Sequence, residues 1–368
     1  MKYIAFLIVK YILRLLYLPM KLRPVRDRVV FLSRESKKKS LDMRLLSEEL
    51  ARTAPEIEQV FRLFMMEPGL SGKIAYGWHM LGDMWALAGA RIAICDTYSI
   101  PVSCLHHKPS LYVIQMWHSM GALKQFGYQS IGKKEGRSAA VSSAMDMHRG
   151  YDCVFAPSKA TGAFYMEAFD VTEDKIFLYT LPRIDYLMRD VAETRERFLA
   201  ENPDAVGKKI VVYLPTFRSG EEAAVESLRR VFEDQPDIKF IPSVHPLSGI
   251  KVSRGINGSY NTMDLIKAAD AVITDYSACA FEAAVLEREL YFFVPDREEY
   301  DTNRGINIDL RSEMPGCVFD DPDELCAAVR AGACDRALAS RFGEKYVENT
   351  DRCTEKMAAF IRNRLGGN

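Results

Sequence analysis

The sequence predicts an α/β protein of two doubly wound, Rossmann-like parallel-sheet domains facing a cleft, preceded by an amphipathic membrane helix. Three observations predict it. A chain of 368 residues exceeds one comfortable core and suits two domains of ordinary size. Short apolar runs alternate with helix-length segments, and this rhythm starts twice. The first 20 residues are apolar apart from two separated basic residues and Lys2.

Residues 1–27 come first. At about 100° per residue, Tyr3, Lys10, Arg14, Tyr17 and Lys21 fall in one narrow arc, and Ile, Leu, Phe, Val and Ala fill the rest. Such a helix suits the headgroup region, apolar face down. Lys10 and Arg14 in mid-segment disfavour a simple span, and no small-residue cleavage site marks a signal peptide. Lys21, Arg23 and the basic stretch to Lys39 would each add about 1 kcal/mol of attraction to anionic lipid. A true span and packing on the protein's own body remain alternatives.

Residues 28–185 form the predicted N-terminal domain, with strands at 28–32, 60–64, 91–95, 111–115 and 153–155 and helices at 42–51 and 80–90. Residues 186–368 form the second, with strands at 210–213, 239–241, 271–274 and 290–294 and helices at 221–233, 262–269 and 277–286. The segments 181–183 and 190–208 read as a hinge. The last helix, 338–364, is free to pack back on the first domain. In such folds ligands bind beyond the carboxyl ends of the strands.

Net charge is −1, which disfavours nucleic-acid binding, but residues 1–40 carry +9 and the remainder −10. A basic end on an acidic body points to an anionic membrane surface. Eight cysteines without a CxxC pair read as reduced thiols, with neither a disulfide frame nor a zinc site. No glycine-rich dinucleotide fingerprint, Walker loop or convincing metal-binding acidic pair is present, so neither cofactor nor metal is expected.

Candidate site residues follow strand ends. After 111–115 come His118, Gly121 and Lys124; an imidazole can take a proton from an attacking hydroxyl, and amides with an ammonium can hold phosphate. After 210–213 come Thr216 and Arg218, a hydroxyl and a planar cation suited to phosphate. His245 follows 239–241 and precedes Pro246. Asp275 and Ser277 follow 271–274 at a predicted helix start, with Glu282 inside that helix, and Arg304 follows later. Each reads equally well alone as an ordinary loop or cap.

Taken in order, the segments 115–124 with Trp117-His118, Pro182-Arg183 with Asp185, 213–218, His245-Pro246, 269–282 and Arg304-Gly305 resemble the CDP-glycerol glycerophosphotransferase family of teichoic-acid and related polymer synthesis. The resemblance covers about residues 28–310. It implies a GT-B fold with an acceptor-side N-terminal domain and a nucleotide-donor C-terminal domain. It also implies a CDP-glycerol or CDP-ribitol donor, a lipid-linked saccharide acceptor and a peripheral place on the cytoplasmic side of the cell membrane. His118 would be the base and His245 would contact the diphosphate. Thr216, Arg218, Ser277 and Arg304 would hold phosphate oxygens, Glu282 the ribose, and Gly121, Lys124 and Arg183 phosphate or acceptor. Asp275 would belong to the donor site. Thr180, Val244, Ala278 and Glu282 depart from the family pattern, which leaves the polyol open. A nucleotide-sugar glycosyltransferase and an inactive membrane-bound partner of a polymerase are the alternatives. Paired membrane helices would allow homo-oligomers.

Overall fold

The computed structural model describes residues 2–216, 221–243 and 255–366. The chain divides into two compact units, one of residues 1–119, 125–185 and 349–368, the other of 120–124 and 186–348.

The first unit is built on six parallel strands: β1 (Arg28–Ser33), β2 (Glu58–Leu63), β3 (Ile92–Cys95), β4 (Tyr112–Gln115), β5 (Cys153–Ala156) and β6 (Ile176–Leu178). Their order is β2-β1-β3-β4-β5-β6. Val29 to Phe31 and Ala93 to Cys95 are fully buried. Helices covering both faces explain why these strands read as unbroken apolar runs rather than alternating ones. Three helices matter below: α1 (Lys2–Met20), α2 (Leu41–Thr53) and α3 (Gly69–Ala88). Ser40 caps α2, its side chain accepting from the Met43 amide. The helix Cys353–Gly366 also belongs to this unit. The Asp185 carboxylate caps it, accepting from the amides of Cys353 and Thr354 at 2.9 and 2.7 Å, and Arg362 reaches the Thr53 carbonyl at the end of α2.

The second unit carries β7 (Lys209–Leu214), β8 (Ile238–Pro242), β9 (Ala271–Thr274), β10 (Glu289–Phe293) and β11 (Val318–Phe319), again parallel, in the order β11-β10-β9-β7-β8. Strand order therefore reverses in each unit beside its first strand, between β1 and β3 and between β7 and β9. Those reversals open a crevice at the strand carboxyl ends.

Several elements differ from expectation. β6 and β11, three and two residues long, are too short to show in the apolar pattern. The polar stretch around 190–208 contains the helix Val191–Glu201, which buries Thr194 and Phe198. The predicted last helix is two, Arg336–Tyr346 and Cys353–Gly366, interrupted where Asn349 and Arg352 take left-handed φ of 55° and 48°. Cysteine pairing also needs correction. Cys317 and Cys334 are disulfide-bonded, both lying against β10, where the Cys317 carbonyl accepts from the Phe292 amide and the Cys334 amide donates to the Tyr291 hydroxyl, while Cys95, Cys104, Cys153, Cys279, Cys326 and Cys353 are free.

Candidate active site

In the first unit the site is built on the turn after β4. Gln115, the last strand residue, is fully buried. Its Oε1 accepts from the Trp117 amide at 2.9 Å, and its Nε2 donates to the Tyr151 hydroxyl at 2.9 Å and the Thr97 carbonyl at 3.3 Å. Trp117 has φ of 60°, a left-handed conformation that costs a bulky residue about 1–3 kcal/mol. The Gln115 bond and the stacking of the indole on Phe126 hold it there. This strained turn presents His118, whose Nδ1 lies 2.8 Å from the Asp96 carbonyl oxygen. A carbonyl only accepts, so Nδ1 carries the proton and the neutral ring keeps its lone pair on Nε2. Nε2 faces the Glu35 carboxylate at 3.9 Å, and the side chain is 38% exposed. Asp96 itself is buried, and that burial pushes its carboxyl up to about 7.

Arg183 is bonded within the first unit, to Asp42 and to the His118 turn. Its backbone N–H and Nε donate to the buried Asp42 of α2 at 2.8 and 2.9 Å, and a further N–H reaches the His118 carbonyl at 3.1 Å. The buried carboxylate requires a cation, and a separation of 141 positions in sequence hid that demand.

In the second unit Thr216 follows β7 and Asp275 follows β9, at the strand-order reversal. Asp275 is fully buried. Its Oδ1 accepts from the Thr216 amide and hydroxyl, both at 2.7 Å, and from the Tyr276 amide at 2.6 Å. These bonds hold the loop that follows β9 against the loop that follows β7. The following helix is Cys279–Val285, two residues later than expected, with Ser277 Oγ accepting from the Cys279 amide at 3.4 Å. Glu282 lies inside it, 1% exposed. Tyr276 stacks on Tyr300 at 3.8 Å, placing the Ser277 loop beside the helix Arg297–Asn303 that Arg304 ends.

Residues 120–124 belong to this second unit. Lys124 bridges Ile306, and the Leu123 carbonyl accepts from the Asn307 amide at 2.8 Å, so Gly121 and Lys124 run beside the Arg304-Gly305 turn. A side chain at Gly121 would meet the Phe281 ring at 2.2 Å, so glycine is needed there for packing. Arg218 and His245 lie outside the described residues. Among the described residues no group of three or more His, Cys, Asp or Glu is placed to hold a metal ion.

The N-terminal helix turns its charges the other way from the expected one. Lys10 and Arg14 both reach Asp146 at 3.1 Å, and Arg14 also donates to the Cys104 carbonyl at 2.7 Å. The half-buried Asp146 draws both cations onto the body. Tyr17 is buried too, its hydroxyl 2.9 Å from His107 Nδ1. Arg23 lies over the Trp85 ring of α3 at 4.8 Å, and Lys21 is half-buried at the helix end. The apolar side points outward: Ile4, Ile8, Tyr11, Ile12, Leu15 and Leu18 are each more than half exposed. A second helix joins it. Leu13 and Tyr17 of α1 share a buried cluster with Tyr76, Met80 and Met84 of α3, while Leu70, Ile74, Trp78 and Trp85 of α3 are more than half exposed. Sequence reading missed this second stripe, although its spacing of four, four and seven residues marks one helical face.

Residues 16–361 match the family model of CDP-glycerol:poly(glycerophosphate) glycerophosphotransferase. The chain belongs to this family of transferases. Its members similar to this chain include the teichoic acid ribitol-phosphate primase of Bacillus spizizenii, 28% identical over 92% of each protein. The teichoic acid glycerol-phosphate primase of Bacillus subtilis is 25% identical over 77% of each. Among solved structures, the wall teichoic acid polymerase TagF, in crystals soaked with CDPG, aligns over 99% of this chain and 96% of its own with a TM-score of 0.73 at 18% identity. A putative UDP-N-acetylglucosamine 2-epimerase from Listeria monocytogenes aligns more loosely, with a TM-score of 0.58 at 12% identity over 93% and 97%. The family's fold, two Rossmann-like units of GT-B type, is the fold of this chain.

Proposed function

We propose that this family member transfers glycerol phosphate or ribitol phosphate from the corresponding CDP-polyol to a hydroxyl of a membrane lipid-linked saccharide, releasing CMP. The observation that carries the reading is His118. Its proton is fixed on Nδ1 by the Asp96 carbonyl, and Nε2 is left as a base on a side chain that is partly open. The acceptor hydroxyl gives its proton to Nε2 as its oxygen bonds to the phosphorus that bears the polyol. The bond from that phosphorus to the bridging oxygen breaks, and CMP leaves with the electron pair. Charge grows on phosphate oxygens, so the second unit's task is electrostatic. Thr216, Ser277, Lys124 and Arg304, with Arg218 and His245, take the phosphates, and Glu282 takes the ribose.

The same proposal places α1 and α3 together on the cytoplasmic surface of the membrane. In support, both expose an apolar stripe, and Trp78 and Trp85 suit the interfacial zone. α1 has the length and composition to cross a bilayer, but its ion pairs with Asp146 favour a helix lying against its own body.

CMP release is the test, with CDP-glycerol, CDP-ribitol and UDP-sugars offered in parallel with a lipid-linked acceptor. CMP from one CDP-polyol is expected, reduced about 10²–10⁴-fold in His118→Ala. Turnover with a UDP-sugar alone would replace the reading by glycosyl transfer.

A further inference from the structure

The strand-order reversal of the first unit holds a cationic pair that the reaction above does not use. Arg34 is the first residue after β1, and Arg137 comes from the loop before the short helix Ala139–Ala144. Their guanidinium carbons lie over the same ring, that of Tyr98, at 5.2 and 5.0 Å. Tyr98 is buried and fixed by its hydroxyl, which donates to the Met145 carbonyl at 2.9 Å. The Arg34 amide donates to Thr97 Oγ1 at 3.1 Å, which ties the loop after β1 to the loop after β3.

Arg14, Arg28, Arg62 and Arg183 of this unit each sit on a carboxylate. Among the described residues, Arg34 and Arg137 form no ion pair with one. Arg137 is open to solvent, yet desolvation and then the charge of Arg34 hold its pKa below the ordinary value. Glu35 is the carboxylate that acts on it, and Glu35 is 62% exposed and faces His118. Two guanidiniums over one ring, near enough for the charge of Arg34 to act on Arg137, with no ion-paired carboxylate among the described residues and beside the crevice where a doubly wound sheet binds its ligand, suit a doubly charged oxyanion.

Their position says which end of the substrate they meet. The loop 96–98 supplies both the carbonyl that orients His118 and the ring beneath the arginines. Met145, which receives the Tyr98 hydroxyl, adjoins Asp146, the residue that holds Lys10 and Arg14 of α1. The pair thus lies in a chain of direct contacts that runs from the proposed base to the apolar helix.

We propose that Arg34 and Arg137, seated over Tyr98, bind a phosphate ester at the lipid end of the acceptor. This rests on the transferase reading for the name of its ligand, but not for its chemistry. The phosphate could belong to the acceptor's own lipid linkage or to an anionic headgroup of the bilayer.

The test uses the full chain in neutral detergent, titrated calorimetrically with geranyl diphosphate and with geraniol. The wild type is expected to bind the diphosphate and not the alcohol. Arg34→Gln and Arg137→Gln should each weaken binding about tenfold or more, with the corresponding lysine variants in between. Equal binding by wild type and both glutamine variants, or none by the wild type, overturns the proposal. Cosedimentation with phosphatidylglycerol and phosphatidylcholine vesicles separates the sources. Unchanged attachment of the glutamine variants assigns the site to the acceptor, and loss on phosphatidylglycerol alone assigns it to bilayer headgroups. With an active CDP-polyol, the variants should raise the acceptor KM and leave the donor KM and kcat unchanged. If no CDP-polyol turns over, the transferase reading fails while the calorimetry still decides the site.

Discussion

The two strand-order reversals, one in each unit, secure their loops by opposite means. Between β1 and β3, side chains reach for backbone carbonyls: His118 bonds the Asp96 carbonyl, Arg183 the His118 carbonyl and Tyr98 the Met145 carbonyl. Between β7 and β9, a fully buried carboxylate gathers backbone and hydroxyl donors instead, Asp275 taking those of Thr216 and Tyr276. The first arrangement fixes the tautomer and direction of a side chain that stays open. The second fixes the course of a loop. The proposed reaction asks for that division: proton transfer needs one lone pair aimed outward, whereas holding a polyanion needs a loop whose donors keep a set spacing.

Substitutions can break this comparison, and the largest effect falls in the first unit. Arg183→Met leaves Asp42 buried without its cation and should cost about 3–5 kcal/mol in urea unfolding. A loss under about 1 kcal/mol would mean that Asp42 finds another partner. In the second unit, Asp275→Asn turns a charged acceptor of three bonds into a neutral one and should cost about 1.5–3 kcal/mol, with a raised donor KM. An unchanged KM would detach the loop from the donor.

Smaller effects sharpen the contrast. Gly121→Ala drives a methyl into the Phe281 ring, at a cost of about 1–3 kcal/mol that Phe281→Leu should partly relieve. A full double-mutant cycle measures that coupling. Asp96→Asn tests the first unit by pH. The folded-state pKa of Asp96, about 7, lies above the unfolded value of about 4, so the folded protein holds this proton more tightly. The stability from it is fully present below about pH 4 and is lost as pH rises to about 7. Wild-type Tm should therefore fall relative to the variant across that window, by the equivalent of about 1 kcal/mol or more above it. Parallel profiles would show that Asp96 titrates normally.

The central strands were legible because burial on both faces makes them continuous apolar runs, as in Val29 to Leu32 and Ala271 to Ile273. His118, Thr216 and Asp275 were legible as candidates because such strands place their successors at the binding edge. Roles set by distant partners were not. The pairing of Arg183 with Asp42 joins residues far apart in sequence, and so does the pairing of Lys10 and Arg14 with Asp146, which draws both cations onto the body. Gln115 carried an unused signal, a polar residue closing a buried strand. α3 was cut short to 80–90 because its first half faces outward with large apolar side chains, which a helix resting only on its own core would not show.

The helix Cys353–Gly366 has a consequence for how this protein can be divided. It belongs to the first unit, as do the residues before Met120, while residues 120–124 belong to the second. Neither unit is therefore a single stretch of chain. A cut near residue 186 would leave Asp185 without the amides it caps and α2 without Arg362, and would leave the second unit without Gly121 under Phe281. The units are two in architecture but one in inheritance, and an expression boundary placed between them removes a piece of each.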